Sequence, residues 1–394
     1  MSNLKIFADI IEDEAKAQLD IICNHPAFRN SQIRIMPDVH AGKGCVIGFT
    51  ADFQDKIVPN VVGVDIGCGV MGFNLGQIDI DFKRLDRNIK QLVPSGTAVR
   101  SKPFKHFSFE QLKCYDKLIN VDRLEKSFAT LGGGNHYIEV DEDSLGNKWL
   151  IVHSGSRNLG VQVARYYQEK AIELHKEMRK ADKERLISWH KATNTTDKIE
   201  ATLKRYDLEN PPLADALCYL KGELLGDYLY DMQICQNFAD ENRLGILTII
   251  SMAMGWDAAK IQPAFNVRHN YIDITGRGIV RKGAVSAELD ETVVIPINMR
   301  DGLILARGLG NPDYNYSAPH GAGRLMSRKA AKETLNLEDY KETMKDIYST
   351  TVSTDTIDEA PMAYKPIESI LENIKDTVEI IDILKPLYNF KAGE

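Results

Sequence analysis

Cysteine is sparse and scattered in this 394-residue chain: Cys23, Cys45, Cys68, Cys114, Cys218 and Cys235 follow no framework spacing. A chain this long builds its core without bridges, so disulfides are not expected. There is no internal repeat, no low-complexity tract and no Ser/Gly/Pro linker. No apolar run reaches the ~18–20 residues that cross a bilayer. The opening MSNLKIFADIIEDEAK carries early acids instead of the basic-then-apolar pattern of a signal peptide. These absences predict a cytoplasmic protein with no membrane partner. Walker A and His-Glu-x-x-His are both missing, which excludes P-loop and zincin chemistry.

What is present suits a globular enzyme. With 43% hydrophobic and 27% charged residues, the chain can bury a sizeable core. The net charge of −7 argues mildly against a nucleic-acid partner but leaves room for a local basic groove. Two basic clusters stand out, Arg100–Lys105 and Lys176–Arg185. Acids interleave with the second, which reads better as a solvated helix face.

The N-terminal third alternates β-type runs with glycine turns. IVPNVVGVDIGCGVMGFNL reads as strand, loop, strand. From about 159 to 245 the period becomes helical. Leu213, Leu217, Leu220, Leu224, Tyr228, Met232 and Cys235 form a core stripe, with Pro211 and Pro212 at the helix start. Strand patterning returns after Gly255, and IIDILKPLYNFKAGE closes the chain as an extended segment. The expected class is α+β: one domain over 1–394, with the helical segment set inside it.

Five glycine-flanked segments hold the unusual residues. GVDIGCG sets Asp65 and Cys68 three apart on a turn, where carboxylate and thiolate can reach one metal and a thiolate can bridge two. Read alone, the pair serves equally well as turn residues. The nominal GxGxxG beginning at Gly67 runs into a β-like stretch instead of a helix, so dinucleotide binding is rejected. In LGGGNHYIEV, alternation puts Asn135, Tyr137 and Glu139 on one face and His136 on the other; one face suits a nucleotide and the other a metal.

His153 ends the run IVHSGSR and His269 sits within the strand-like NVRHNY. Either could be a hydrogen-bonded core histidine. In SAPHGAGRLMSR, His320 is read as opening a helix that carries Arg324 and Arg328. Small neighbours there admit a large anion, and a neutral imidazole is a competent nucleophile. His40 shares a crowded turn with Asp38 and Lys43, whereas His25, His106, His175 and His190 read as solvated.

Taken in order, MPDVHAGKG, GVDIGCG, LGGGNHYIEV, HSGSRNLG, RHNY, RKGAVSA, RGLGN, HGAGRLMSR and PMAYK resemble the RtcB family of RNA-splicing ligases nearly end to end. The resemblance implies an RtcB-like fold of mixed sheets around a dinuclear metal site. It also implies joining of RNA 2′,3′-cyclic-phosphate or 3′-phosphate ends to 5′-hydroxyl ends, with GTP and two Mn2+ ions. One metal falls to Asp65, Cys68 and His136, the other to Cys68, His153 and His269. His320 matches the histidine that takes GMP from GTP. Nucleotide contacts are expected at Asn135, His136, Tyr137, Ile138, Glu139, His269, Asn270, Pro296, Ile297, Asn298, Met299, His320, Gly321, Ala322, Gly323, Tyr364 and Lys391. Arg157 and Arg324 are expected to meet RNA or phosphate.

One departure matters. The family's PGSMG-type loop, followed by a serine, reads PINMRDGL here. Arg300 and Asp301 replace small residues, and Leu303 takes the place of the serine. This points to a divergent paralogue acting in RNA repair rather than tRNA splicing, with a less strict GTP preference. Two other readings use the same residues: a metal-dependent phosphoesterase that opens cyclic phosphates without ligating, and a silent RNA-binding accessory protein. The resemblance leaves an auxiliary protein open.

Overall fold

A computed structural model describes residues 3–256 and 263–392. Met1, Ser2, Gly393 and Glu394, the ends of the 1–394 unit expected from sequence, lie outside the described residues. The principal element is a seven-stranded sheet with every neighbouring pair antiparallel. Its order is Thr292–Asn298, Gly302–Gly308, Val378–Lys391, Tyr137–Glu142, Lys148–Ser154, Gly69–Gly76 and Pro263–Arg268. All seven strands contribute to one apolar cluster, including Val70, Tyr137, Ile151, Phe265, Val294, Leu303 and Leu384. The two edge strands also touch, so the sheet curls around its own inner face.

Alternation decides what enters that interior. Ile138, Val140, Leu150 and Val152 point outward, under the helix Gly222–Met254. Their neighbours Tyr137, Ile151 and His153 therefore point inward.

A five-stranded sheet (Asn3–Ile6, Gln32–His40, Ile47–Asp52, Ile279–Lys282 and Asn270–Ile272) contains one parallel pair, between its first two strands. A small sheet pairs Ala284–Ser286 with Ser317–Pro319. The class is α+β with mixed sheets.

The helical middle holds three helices, Arg157–Ala192, Ile199–Glu209 and Gly222–Met254, and so extends past residue 245. Pro211 and Pro212 do not start the third helix. An irregular stretch follows them, Leu220 pairs with Ile57 in a short strand, and the helix begins only at Gly222. Leu213 and Leu217 still pack against the core, so the stripe identified burial correctly but not one continuous helix. Within IVPNVVGVDIGCGVMGFNL, read as strand, loop, strand, PNVV instead forms a helical turn over Pro59–Val62, led by the proline that such a start favours. Among the described residues, no helix is long and apolar enough to cross a membrane.

Candidate active site

Three sheets meet at the site. The turn after Pro59–Val62 carries Asp65 and Cys68. Gly67 makes this turn possible: it has φ +72°, and a Cβ there would lie 2.8 Å from the Gln236 Cα. His136 stands just ahead of Tyr137–Glu142, and His153 lies one residue from the end of Lys148–Ser154. His269 is not inside a strand. It occupies the single residue between Pro263–Arg268 of the seven-stranded sheet and Asn270–Ile272 of the five-stranded sheet.

These side chains converge. The candidate ligand atoms of Asp65, Cys68 and His136 lie within 4.8 Å of one another, as do those of Cys68, His153 and His269. Cys68 belongs to both groups, with its Sγ 3.4 Å from His136 Nε2 and 3.3 Å from His153 Nε2. The Nδ1 of His136 lies 2.9 Å from the Leu131 carbonyl and that of His153 lies 3.1 Å from the Asn135 carbonyl. A carbonyl only accepts, so each Nδ1 carries a proton and each Nε2 turns toward Cys68.

The donor set fits a cation. Burial, with neighbouring imidazoles, pushes His153 and His269 well below 6.5. Their Nε2 atoms nevertheless face each other at 3.0 Å, where at most one proton can be shared. A bound metal ion would satisfy both lone pairs. Asp65 Oδ1 is buried with no hydrogen-bond partner. Burial raises the Asp65 carboxyl, but the His136 hydrogen bond and charge outweigh it and leave the pKa lowered. Burial, reinforced by Asp65, pushes the Cys68 thiol well above its usual range, so thiolate ligation must release a proton. Arg243, fully buried, braces this region by donating to the carbonyls of Gly67 (2.9 Å) and Ser154 (2.7 Å).

His320 does not open a helix. It follows the strand Ser317–Pro319, and the next helix begins at Arg328. Arg324 instead forms an isolated β-bridge with Tyr364. The His320 ring is 4.7 Å, centroid to centroid, from that of His269. Its Nδ1 lies 2.6 Å from Oδ2 of Asp38, a carboxylate with no solvent exposure.

A cavity beside His320 is lined by Asn135, Tyr137, Glu139, His153, Pro296–Met299, Gly321–Arg324, Tyr364 and Lys391, together with His40, Arg328 and Asn389. Three of these lining residues converge on Glu359, which accepts from Tyr364 Oη at 2.6 Å and pairs with the ammonium of Lys391 at 2.5 Å and the guanidinium of Arg328 at 2.5 Å. Despite burial, Lys391 and Arg328 hold its carboxyl at about 2.

Some expected contacts lie elsewhere. Ile138 points to the opposite face, into the core under the helix, so only its backbone can approach a ligand in this cavity. Asn270 braces the Asp65–Cys68 turn through Asp65 O at 3.2 Å. His136 and Arg157 line a second cavity with Asp65. There Arg157 donates to Thr130 Oγ1 at 3.1 Å and Gly96 O at 3.3 Å. His25 and His190 are buried, not solvated. His25 is held at Leu217 O, and burial lowers it to about 4; His190 bonds two threonine hydroxyls.

The family comparison matches this architecture over almost its whole length. The family model described as tRNA-splicing ligase RtcB matches residues 18–121 and 111–392. The RNA-splicing ligase RtcB of Escherichia coli K12 is 30% identical, over 97% of this chain and 95% of its own length. The chain belongs to the RtcB family. A more distant RtcB, the tRNA-splicing ligase RtcB of Archaeoglobus fulgidus, is 24% identical over 92% of this chain and 87% of its own.

Within this RtcB chain the altered hairpin is self-contained. Asn298 Oδ1 accepts from the backbone of Arg300 and Asp301, both at 2.9 Å, and Arg300 pairs with Asp301 at 2.6 Å. Leu303 is buried in the cluster inside the curled sheet. The cavity wall here is therefore Pro296–Met299 and Gly302, without a hydroxyl at 303.

Proposed function

We propose that this protein is an RNA ligase that joins 2′,3′-cyclic-phosphate or 3′-phosphate ends to 5′-hydroxyl ends, using GTP and two Mn2+ ions. The observation that carries the reading is the Asp38–His320 pair beside the Asp65, Cys68, His136, His153 and His269 cluster. The E. coli and A. fulgidus relatives are both described as RtcB splicing ligases.

With Nδ1 of His320 engaged by Asp38, Nε2 is the nitrogen left to attack the α-phosphorus of GTP. The N–P bond forms as the bond to the β-phosphate oxygen breaks and pyrophosphate leaves. Asp38 stabilises the charge gained by the ring. An oxygen of the RNA 3′-phosphate then attacks this phosphorus and releases His320. The 5′-hydroxyl oxygen finally attacks the RNA phosphorus, expelling GMP and giving up its proton. A cyclic end first takes up water to become a 3′-phosphate. Bound metal would supply charge neutralisation at the phosphates. Arg157 and Arg324 are proposed to meet RNA phosphate.

Incubation with α-labelled GTP and Mn2+ tests this reading. Wild type should acquire an acid-labile adduct that His320→Ala lacks. No label under any divalent metal overturns it, and cyclic-phosphate opening without joined product supports a phosphoesterase instead.

A further inference from the structure

The cavity beside His320 contains a polar group, Asn389, that no sequence motif marks. Asn389 lies on Val378–Lys391 directly across from Glu139 on Tyr137–Glu142. Partners in such a register project to the same side of a sheet, and both residues line the cavity. Asn389 is 1% exposed and Glu139 4%. Asn389 Oδ1 and Glu139 Oε1 are each buried with no hydrogen-bond partner. An orphaned buried acceptor is costly, about 1–3 kcal/mol, and two of them side by side in a cavity call for a ligand with two adjacent donors.

The amide orientation follows from the neighbouring carboxylate. The Asn389 side chain hydrogen-bonds Glu139. That contact lowers the Glu139 pKa, as a donor to the carboxyl does, so Nδ2 is the atom that donates and Oδ1 remains available. The pair thus presents two acceptors in a row. Asp141, next on the same face, has both oxygens unpartnered, and burial pushes its carboxyl well above the usual range.

We infer that Asn389 is a base-reading residue: its Oδ1, beside the unpartnered oxygen of the Glu139 carboxyl, accepts from the adjacent N–H groups of guanine, N1–H and the exocyclic amine. Adenine presents a bare ring nitrogen at the corresponding edge, which two acceptors repel. Inosine keeps N1–H but lacks the exocyclic amine. This selection compensates for the hydroxyl missing at Leu303, and it predicts a stricter guanine preference than the altered hairpin alone suggests. The inference rests on the cavity being the nucleotide site of the ligase reading above.

The test compares α-labelled GTP, ITP and ATP as donors to His320 in wild type and in Asn389→Leu, a near-isosteric change that removes the acceptor. Wild type should favour GTP over ITP about 10-fold or more, and over ATP by more still, as sites built on hydrogen bonds do. In Asn389→Leu the GTP-to-ITP ratio should collapse toward one through a raised KM for GTP, with the saturated labelling rate kept within about 2-fold. Because ITP and ATP probe unmodified protein, the GTP preference is readable even if the variant folds poorly. Label on wild type with no GTP-to-ITP preference, or a ratio unchanged in a folded Asn389→Leu, overturns the role of Asn389 and leaves the ligase reading standing. No label on wild type with any nucleotide overturns the ligase reading. In that case equilibrium binding of GTP against ITP decides Asn389, and equal affinities overturn it.

Discussion

Asp38 grips His320 twice: its Oδ2 lies 2.6 Å from the ring Nδ1 and 3.2 Å from the backbone nitrogen of the same residue, 282 positions away in sequence. Ring orientation and loop position therefore depend on one buried carboxylate. Asp38→Asn should leave GTP binding nearly intact. It should slow single-turnover labelling of His320 by about 10²–10⁴-fold, the scale seen when a carboxylate that fixes a catalytic imidazole is neutralised. Quench-flow labelling checks the rate, and a rate within a few-fold of wild type would remove Asp38 from the chemistry.

Metal stoichiometry separates the two ligand groups. Cys68 is the member common to both, so Cys68→Ala should lose both tightly held Mn2+ ions. His153→Ala should keep one, at Asp65, Cys68 and His136. Elemental analysis after desalting reads both counts. Two ions retained by Cys68→Ala would contradict a bridging thiolate.

Glu139 gives a pH dependence with a definite sign. Burial pushes its carboxyl from 4.5 to about 8, against the opposing Asn389 and Lys391. The folded protein then keeps a proton that the unfolded chain has lost. Across the window from about 4.5 to about 8 this group makes stability fall as pH rises. Glu139→Gln removes that slope. In metal-free protein, the urea midpoint of the variant should gain on wild type between about pH 5 and about pH 8. Parallel curves would show that Glu139 ionises normally.

Gly323 supports the loop that carries His320 in a way a side chain cannot. Its φ is +74°, and a Cβ there would lie 2.5 Å from the Asp38 carbonyl oxygen. Gly323→Ala should cost about 1–3 kcal/mol from backbone strain and also push His320 away from Asp38. Thermal unfolding and His320 labelling should decline together. Normal labelling in a destabilised variant would confine the effect to folding.

Much of this was legible because strands impose a period of two. The separation of Asn135, Tyr137 and Glu139 from His136 and Ile138 follows from alternation alone, and the apolar run before His153 marks its strand. Helix limits were harder. Hydrophobic spacing through Leu213–Cys235 reports burial, yet pairing of Leu220 with Ile57 competes with the helix and delays it to Gly222. His320 misled for a related reason: glycines and arginines near a turn resemble a helix start, while the strand pairing of Ser317–Pro319 with Ala284–Ser286 is non-local. Asp38, Asn389, Glu359 and Arg243 carried no signal that could link them to their partners. Asp38 stood in a recognised motif, but its range to His320 is set by tertiary packing, and an Asn in a closing strand reads as ordinary polar alternation.

His269 is the one residue joining a strand of the seven-stranded sheet to a strand of the five-stranded sheet. It reaches His153 on one side and His320 on the other. A chain that has formed only one of these sheets cannot bring His153 and His320 to their places on either side of His269. The ligase site proposed above therefore exists only where both sheets have formed.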